Sequence, residues 1–95
     1  MKYVAGIDVG STYAKALLLG DDGAIAGRAL LKTGFDLEQA SEQAYDKALG
    51  EVGVGRGQVR YVVSTGYGRA RVPFRDTTVT DLTAHARGAL YLFPG

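Results

Sequence analysis

The residues with the most chemical potential lie between Asp8 and Lys15, where an acid, a glycine, two hydroxyl residues and a lysine occur within one short segment. Gly10 permits a tight turn because it lacks a Cβ. Ser11 and Thr12 offer hydroxyl and backbone N–H groups at the tip of that turn. Such donors can hold phosphate oxygens, and the carboxylate of Asp8 can hold Mg²⁺ directly or through water. The segment therefore predicts a phosphate-binding turn, with Lys15 as an added positive charge.

Two strands are predicted to flank this turn. Lys2 to Val9 is rich in β-branched, aromatic and small residues, and Asp8 is its only carboxylate. Ala16 to Leu19 is apolar and predicts the second strand. The Walker A and dinucleotide patterns are excluded, because both place phosphate at a helix N-terminus and this turn joins two strands. The alternative is an ordinary hairpin in which Asp8 caps the turn and Lys15 faces solvent.

A third strand and a helix are predicted next. Gly20 to Gly23 indicates a hairpin turn, because an Asp-Gly pair accepts the positive φ angles that a two-residue connection needs. Ala24 to Lys32 then predicts a third antiparallel strand. Asp36 is a good N-cap for an amphipathic helix from Leu37 to about Glu51, whose apolar residues recur at helical spacing.

The rest of the chain predicts one more strand and one more helix. Val59 to Val63 indicates a buried strand, which a right-handed crossover can place parallel to an earlier one. It leads into the glycine-rich sequence Thr65-Gly66-Tyr67-Gly68-Arg69. Thr80 can cap a second helix, which Pro94 ends. The predicted order is βββαβα in a single α/β domain.

Composition narrows the class of protein. The chain has 95 residues, a formal net charge of +1 and no long block of like charge. Its charge therefore gives no reason to expect nucleic acid or a membrane surface as a partner. Cysteine is absent, which excludes disulfides and thiolate-bound clusters within this chain. The single histidine, His85, argues against a self-contained zinc site. No secretion signal or membrane span is evident, and a cytoplasmic location is expected.

Three motifs in register resemble one family of ATPases. They are Gly6 to Thr12, Thr65 to Arg69, and Ala84 to Ala89 ahead of Pro94. Together they resemble the BadF/BadG/BcrA/BcrD ATPase family, which comprises activators of 2-hydroxyacyl-CoA dehydratases and ATPase subunits of benzoyl-CoA reductases. The resemblance covers essentially the whole chain. It implies a ribonuclease H-like lobe, the fold shared by actin, sugar kinases and heat-shock chaperone ATPases.

The same resemblance implies a role for each motif residue. Asp8 is expected to help place Mg²⁺, Gly10 to Thr12 to wrap the phosphates of ATP, and Lys15 to approach them. The loop of Thr65, Gly66, Tyr67, Gly68 and Arg69 is expected to sense the nucleotide or to contact an electron-transfer partner. A glycine-rich surface turn is the alternative for that loop. No residue is identified as the general base.

The resemblance also implies parts of the family that follow Gly95. Family members continue with a second Asp-x-Gly phosphate motif, a second lobe with the adenosine pocket, and cysteines that hold a four-iron, four-sulfur cluster between two subunits. Residues 1–95 are therefore expected to form one partial N-terminal lobe, inactive alone. Its expected partners are ATP, a homologous or identical subunit, and a reductase or dehydratase component.

The type of ATPase is predicted from a short stretch. Thr83 to Leu92 looks closer to the benzoyl-CoA reductase subunits than to the dehydratase activators, which favours the reductase type. Two other classes stay open. One is a sugar or metabolite kinase lobe in which the loop after Val63 contacts a hydroxyl substrate, and the other is a non-enzymatic module that binds a partner without turnover.

Overall fold

The computed structural model describes residues 2–66 and 68–78. Its main elements are β1 (Tyr3–Val9), β2 (Tyr13–Leu19), β3 (Ile25–Lys32), α1 (Leu37–Val52), β4 (Val59–Thr65) and β5 (Thr77–Thr78). Single 3₁₀ turns precede β4 and follow it, at Arg56–Gln58 and Arg69–Arg71. The helix predicted after Thr80 lies outside the described residues.

The five strands form one mixed sheet in the order β3-β2-β1-β4-β5. β2 is antiparallel to both β1 and β3, while β4 is parallel to β1, as predicted. β1 lies at the centre, which fits its apolar sequence, since all of its residues except Asp8 are buried. Asp8 is half-buried at the end of this central strand. This strand order and pairing agree with the ribonuclease H-like lobe that the family resemblance implies.

The predicted start of the second strand was wrong by three residues. β2 begins at Tyr13 rather than Ala16, because Ala14 and Lys15 already pair with Val9 and Asp8 of β1. Lys15 therefore lies within the strand and not in the connection before it. Its position is set by the sheet register rather than by the turn.

The connection between β2 and β3 also differs from the prediction. Only Gly23 has a positive φ, of 79°, and the N–H of Gly20 donates to the carbonyl of Ala24 at 3.0 Å. This spacing leaves three residues inside the loop, a length in which a type I turn is followed by a single left-handed glycine. Asp22 therefore does not adopt the positive φ that a two-residue connection requires.

β5 was not predicted from the sequence. It contains only two residues, and it pairs parallel to β4 at Val63 and Ser64. Asp76 prepares this pairing, since its carboxylate accepts from the Val62 N–H at 2.7 Å and its own N–H donates to the Val62 carbonyl at 2.8 Å. The outer edge of β4 is therefore partly covered.

Helix α1 packs against one face of the sheet through small residues. Asp36 caps its N-terminus by accepting from the Gln39 N–H at 3.0 Å, as predicted. The alanines on its buried side let the helix lie close to β3, where a Cβ on Gly27 would reach 3.1 Å from the Ala48 carbonyl oxygen. Gly53, with a φ of 80°, ends the helix in a left-handed cap. None of the helices in the described residues has the length and apolar character needed to cross a membrane.

An aromatic cluster joins α1 to the segment that follows β4. The rings of Tyr45 and Phe74 stack with their centres 4.5 Å apart, and the Arg56 guanidinium lies within 5.0 Å of both ring centres. Arg56 also pairs with Glu42 and Asp46 of the helix. This cluster attaches the segment after the glycine-rich loop to the core, and so helps to position that loop.

Candidate functional site

A row of polar side chains crosses the sheet at the end of β1. Asp8 lies directly opposite Lys15 of β2 and directly opposite Thr65 of β4. Paired residues on neighbouring strands project from the same face of a sheet, so the three side chains share one face. The structure thus brings residues from the first motif and from the glycine-rich loop to one place.

The tip of the β1–β2 hairpin presents unused backbone donors. The N–H of Gly10 donates to the Tyr13 carbonyl at 2.9 Å, which closes the turn on Ser11 and Thr12. Both of these residues are exposed. Within residues 2–66 and 68–78, their N–H groups donate no hydrogen bond. Exposed, unpaired amides in a turn are suited to an anionic ligand.

Four residues of the first motif line an open cavity of about 400 Å³. Its full lining is Asp8, Gly10, Ser11, Thr12, Tyr13, Lys15 and Leu30. A second groove of about 620 Å³ adjoins it and shares Asp8, Lys15 and Leu30. Volumes of this order are typical of small-ligand sites, at about 300–1,000 Å³. The two ion pairs of the described residues both involve Arg56, so Lys15 forms no ion pair within that part of the chain.

The glycine-rich loop packs directly on the end of β1. Gly66 has a φ of +91°, and a Cβ at this position would collide with Oδ1 of Asp8 and lie 2.7 Å from the Val9 carbonyl oxygen. The N–H of Gly68 donates to the same Val9 carbonyl at 2.7 Å. Gly66 is therefore required both by its backbone conformation and by the close approach of the Asp8 carboxylate.

The other residues of that loop have local contacts. The Arg69 guanidinium donates to the Gly66 carbonyl at 3.3 Å, and the Ser64 hydroxyl donates to the Arg69 carbonyl at 2.7 Å. Arg69 is exposed, and Tyr67 lies outside the described residues. The predicted roles of these two side chains toward a phosphate or a partner stay predictions.

Asp8 is the one carboxylate lining the cavity at the hairpin tip. Across the described residues there is no cluster of three or more histidine, cysteine or acidic side chains. One carboxylate fits Mg²⁺, which keeps several of its waters and takes other ligands from phosphates. An iron–sulfur cluster does not fit this chain, because it contains no cysteine.

Thr33 is a site residue that sequence reasoning missed. It follows β3 directly, is 4% exposed, and holds the hairpin tip through two hydrogen bonds. Its hydroxyl donates to the Gly10 carbonyl at 2.8 Å, and its N–H donates to the Thr12 carbonyl at 2.9 Å. The sequence signal was weak: Thr33 is a hydroxyl residue that comes directly after the predicted third strand, and only the strand register brings it to the hairpin.

Solved structures with this architecture define the class of protein. Component A of the (R)-2-hydroxyglutaryl-CoA dehydratase from Acidaminococcus fermentans matches with a TM-score of 0.79 and 28% identity, over 100% of this chain and 37% of that one. The activator of the 2-hydroxyisocaproyl-CoA dehydratase from Clostridium difficile, solved with bound ADPNP, matches with a TM-score of 0.74 and 31% identity, over 92% and 32%. A hexokinase from Thermus thermophilus shares the fold alone, with a TM-score of 0.56 and 19% identity over 97% and 33%. The chain has the fold of the actin-like ATPases and sugar kinases.

The model of the BadF/BadG/BcrA/BcrD ATPase family matches residues 5–95, and the chain belongs to that family. It is 34% identical over 92 residues to the activator of lactoyl-CoA dehydratase from Anaerotignum propionicum, covering 97% of this chain and 35% of that protein. It is 35% identical over 98 residues to one of the subunits of benzoyl-CoA reductase from Thauera aromatica, covering 99% and 34%. The chain thus spans about a third of the length of these curated relatives.

Proposed function

We propose that the β1–β2 hairpin binds the phosphates of ATP, with Mg²⁺ beside Asp8, in an ATPase that drives electron transfer to an acyl-CoA enzyme. One observation carries the proposal: Ser11 and Thr12, whose N–H groups donate no hydrogen bond within the described part of the chain, line the same cavity as Asp8 and Lys15. Family membership supports ATP as the ligand. The activator from Clostridium difficile, which carries ADPNP, supports the same choice.

Each group at the hairpin has a distinct part in this proposal. The amides and hydroxyls of Ser11 and Thr12 hold phosphate oxygens, and the Lys15 ammonium offsets their negative charge. The Asp8 carboxylate accepts from the waters of a bound Mg²⁺ or binds the ion itself. Phosphoryl transfer to water depends chiefly on such positioning and charge stabilisation. None of the described residues is assigned as the general base.

The contact between Gly66 and Asp8 supports a sensing role for the loop of residues 65–69. The backbone of Gly66 lies against Oδ1 of Asp8, with no room for a Cβ between them. A shift of the Asp8 carboxylate toward Gly66 on binding Mg²⁺ and phosphate would displace the loop, and a shift away from Gly66 would remove this contact. We infer that the position of this loop depends on whether nucleotide is bound, and that the exposed residue Arg69 at its end changes position with it.

The type of acyl-CoA enzyme has two candidates. The chain is 34% and 32% identical to two dehydratase activators and 35% identical to a reductase subunit. These nearly equal identities do not support the sequence-based preference for the reductase type. The rate of ATP hydrolysis by the complete gene product should increase only when its own partner component is added. A rise with benzoyl-CoA reductase identifies the reductase type, and a rise with a 2-hydroxyacyl-CoA dehydratase component identifies an activator.

Nucleotide binding is tested by calorimetric titration of the complete gene product with Mg-ATP. Asp8→Asn removes the negative charge while keeping the size of the side chain, and we expect about tenfold weaker binding. The matched control is Asp22→Asn at the opposite end of β2, where the side-chain oxygen that accepts from the Ala24 N–H at 3.0 Å is retained. Equal affinities for the Asp8→Asn and Asp22→Asn proteins would contradict the proposal.

A further inference from the structure

Thr33 makes two hydrogen bonds to the tip of a hairpin that is distant in sequence. The other buried polar residues of the described chain, Ser41 and Ser64, donate their hydroxyls to carbonyls three and five residues away. The Thr33 hydroxyl instead reaches back 23 residues to the Gly10 carbonyl. Together with the bond from its N–H to the Thr12 carbonyl, this contact fixes two peptide groups of one turn.

The geometry of the peptide bond determines what these contacts do to the turn. In a trans peptide the C=O of one residue and the N–H of the next point in opposite directions. Holding the Gly10 carbonyl toward Thr33 therefore turns the Ser11 N–H to the opposite side. That N–H has no partner in the described chain, and Ser11 lines the open cavity beside Asp8.

We propose that Thr33 is a positioning residue that orients the Ser11 amide for a phosphate group. The inference rests on the proposed phosphate site and adds a residue that no motif of the chain contains. Thr33 does not contact the ligand. It acts by fixing the donor before binding, so that less ordering of the turn is required when the phosphate arrives.

The test compares two variants of the complete gene product, one that removes the hydroxyl of residue 33 and one that keeps it. Thr33→Val keeps the branched shape and the backbone N–H but removes the bond to the Gly10 carbonyl, whereas Thr33→Ser retains a hydroxyl. Titration with Mg-ATP, well below the unfolding temperatures, should give roughly tenfold weaker binding for Thr33→Val, with unchanged stoichiometry. Thr33→Ser should restore the affinity to within about twofold of wild type.

The possible outcomes separate this inference from the proposed function. Wild-type protein that binds no ATP would overturn the phosphate site and the inference together. Wild-type protein that binds ATP, with Thr33→Val binding equally tightly, would overturn the inference alone. If Thr33→Val has a lower binding stoichiometry or unfolding midpoint but an unchanged dissociation constant, Thr33 has only a structural role and the inference is wrong.

A second measurement does not depend on the folding of a variant. In the ¹⁵N-labelled wild-type gene product, addition of Mg-ATP should shift the Ser11 amide resonance more than that of Gly23. Gly23 is a suitable reference because its N–H is already donated to the Gly20 carbonyl at 2.9 Å, in the turn at the far end of β2. An unshifted Ser11 resonance in ATP-bound protein would contradict both the phosphate site at the hairpin and the positioning role, whereas equal affinity of Thr33→Val contradicts the positioning role alone.

Discussion

Replacement of Gly66 by alanine should damage both the fold and the site, for two separable reasons. The backbone of Gly66 has a φ of +91°, which an alanine adopts only with strain. The added Cβ would also collide with Oδ1 of Asp8 and lie 2.7 Å from the Val9 carbonyl oxygen. Neither partner is the flexible end of a long side chain, so the end of β1 or the loop must shift.

The size of the effect follows from these two terms. The left-handed conformation costs a non-glycine residue about 1–2 kcal/mol. Insertion of a methyl group into a filled space costs about 1–3 kcal/mol more. The free energy of unfolding should therefore fall by about 2–5 kcal/mol, a large part of the ~5–15 kcal/mol that stabilises a typical domain.

Gly53→Ala is the matched control for this substitution. Gly53 has a φ of +80°, close to that of Gly66, but a Cβ there meets no atom within 4 Å. Its substitution should cost only the conformational term of about 1–2 kcal/mol. Denaturant unfolding and Mg-ATP titration of both variants separate strain from crowding. Equal destabilisation by the two substitutions, with unchanged ATP affinity in Gly66→Ala, would refute the close contact with Asp8.

Three further substitutions test other parts of the account. Lys15→Gln should weaken ATP binding and reduce its dependence on salt, as measured by titration at two ionic strengths. Burial raises the pKa of the Tyr45 hydroxyl from 10.0 to about 12. The unfolded chain therefore loses the hydroxyl proton at a lower pH than the folded protein does, and the free energy of unfolding should fall between pH 10 and 12. Tyr45→Phe should reduce that fall in alkaline unfolding curves. Arg56→Met should lower the unfolding free energy by about 1 kcal/mol without changing ATP affinity.

The hairpin and its exposed backbone donors were predictable because the pattern that encodes them is local. An apolar strand, a glycine and two hydroxyl residues are enough to predict a turn with exposed donors, and the structure has that turn at Ser11 and Thr12. Asp36 and Gly53 similarly mark the ends of α1 through caps that depend on neighbouring residues. Elements with strong local signals were therefore placed to within three residues.

The contacts between distant segments were not predictable in this way. Gly66 meets Asp8 because β4 lies parallel to β1 with Thr65 opposite Asp8, a register set by the crossover through α1. Thr33 reaches Gly10 only because β3 ends beside the start of β2. β5 is too short to have a propensity signal, since pairing with β4 defines its two residues. These features depend on strand register, which a local pattern does not contain.

The central claim is that the hairpin of residues 8–15 is a phosphate site, and a crystal structure of the complete gene product with Mg²⁺ and a non-hydrolysable ATP analogue tests it most directly. The account predicts phosphate oxygens within hydrogen-bonding distance of the Ser11 and Thr12 amides, with Mg²⁺ or one of its waters on Asp8. Phosphates bound elsewhere, with the two amides still facing solvent, would contradict it.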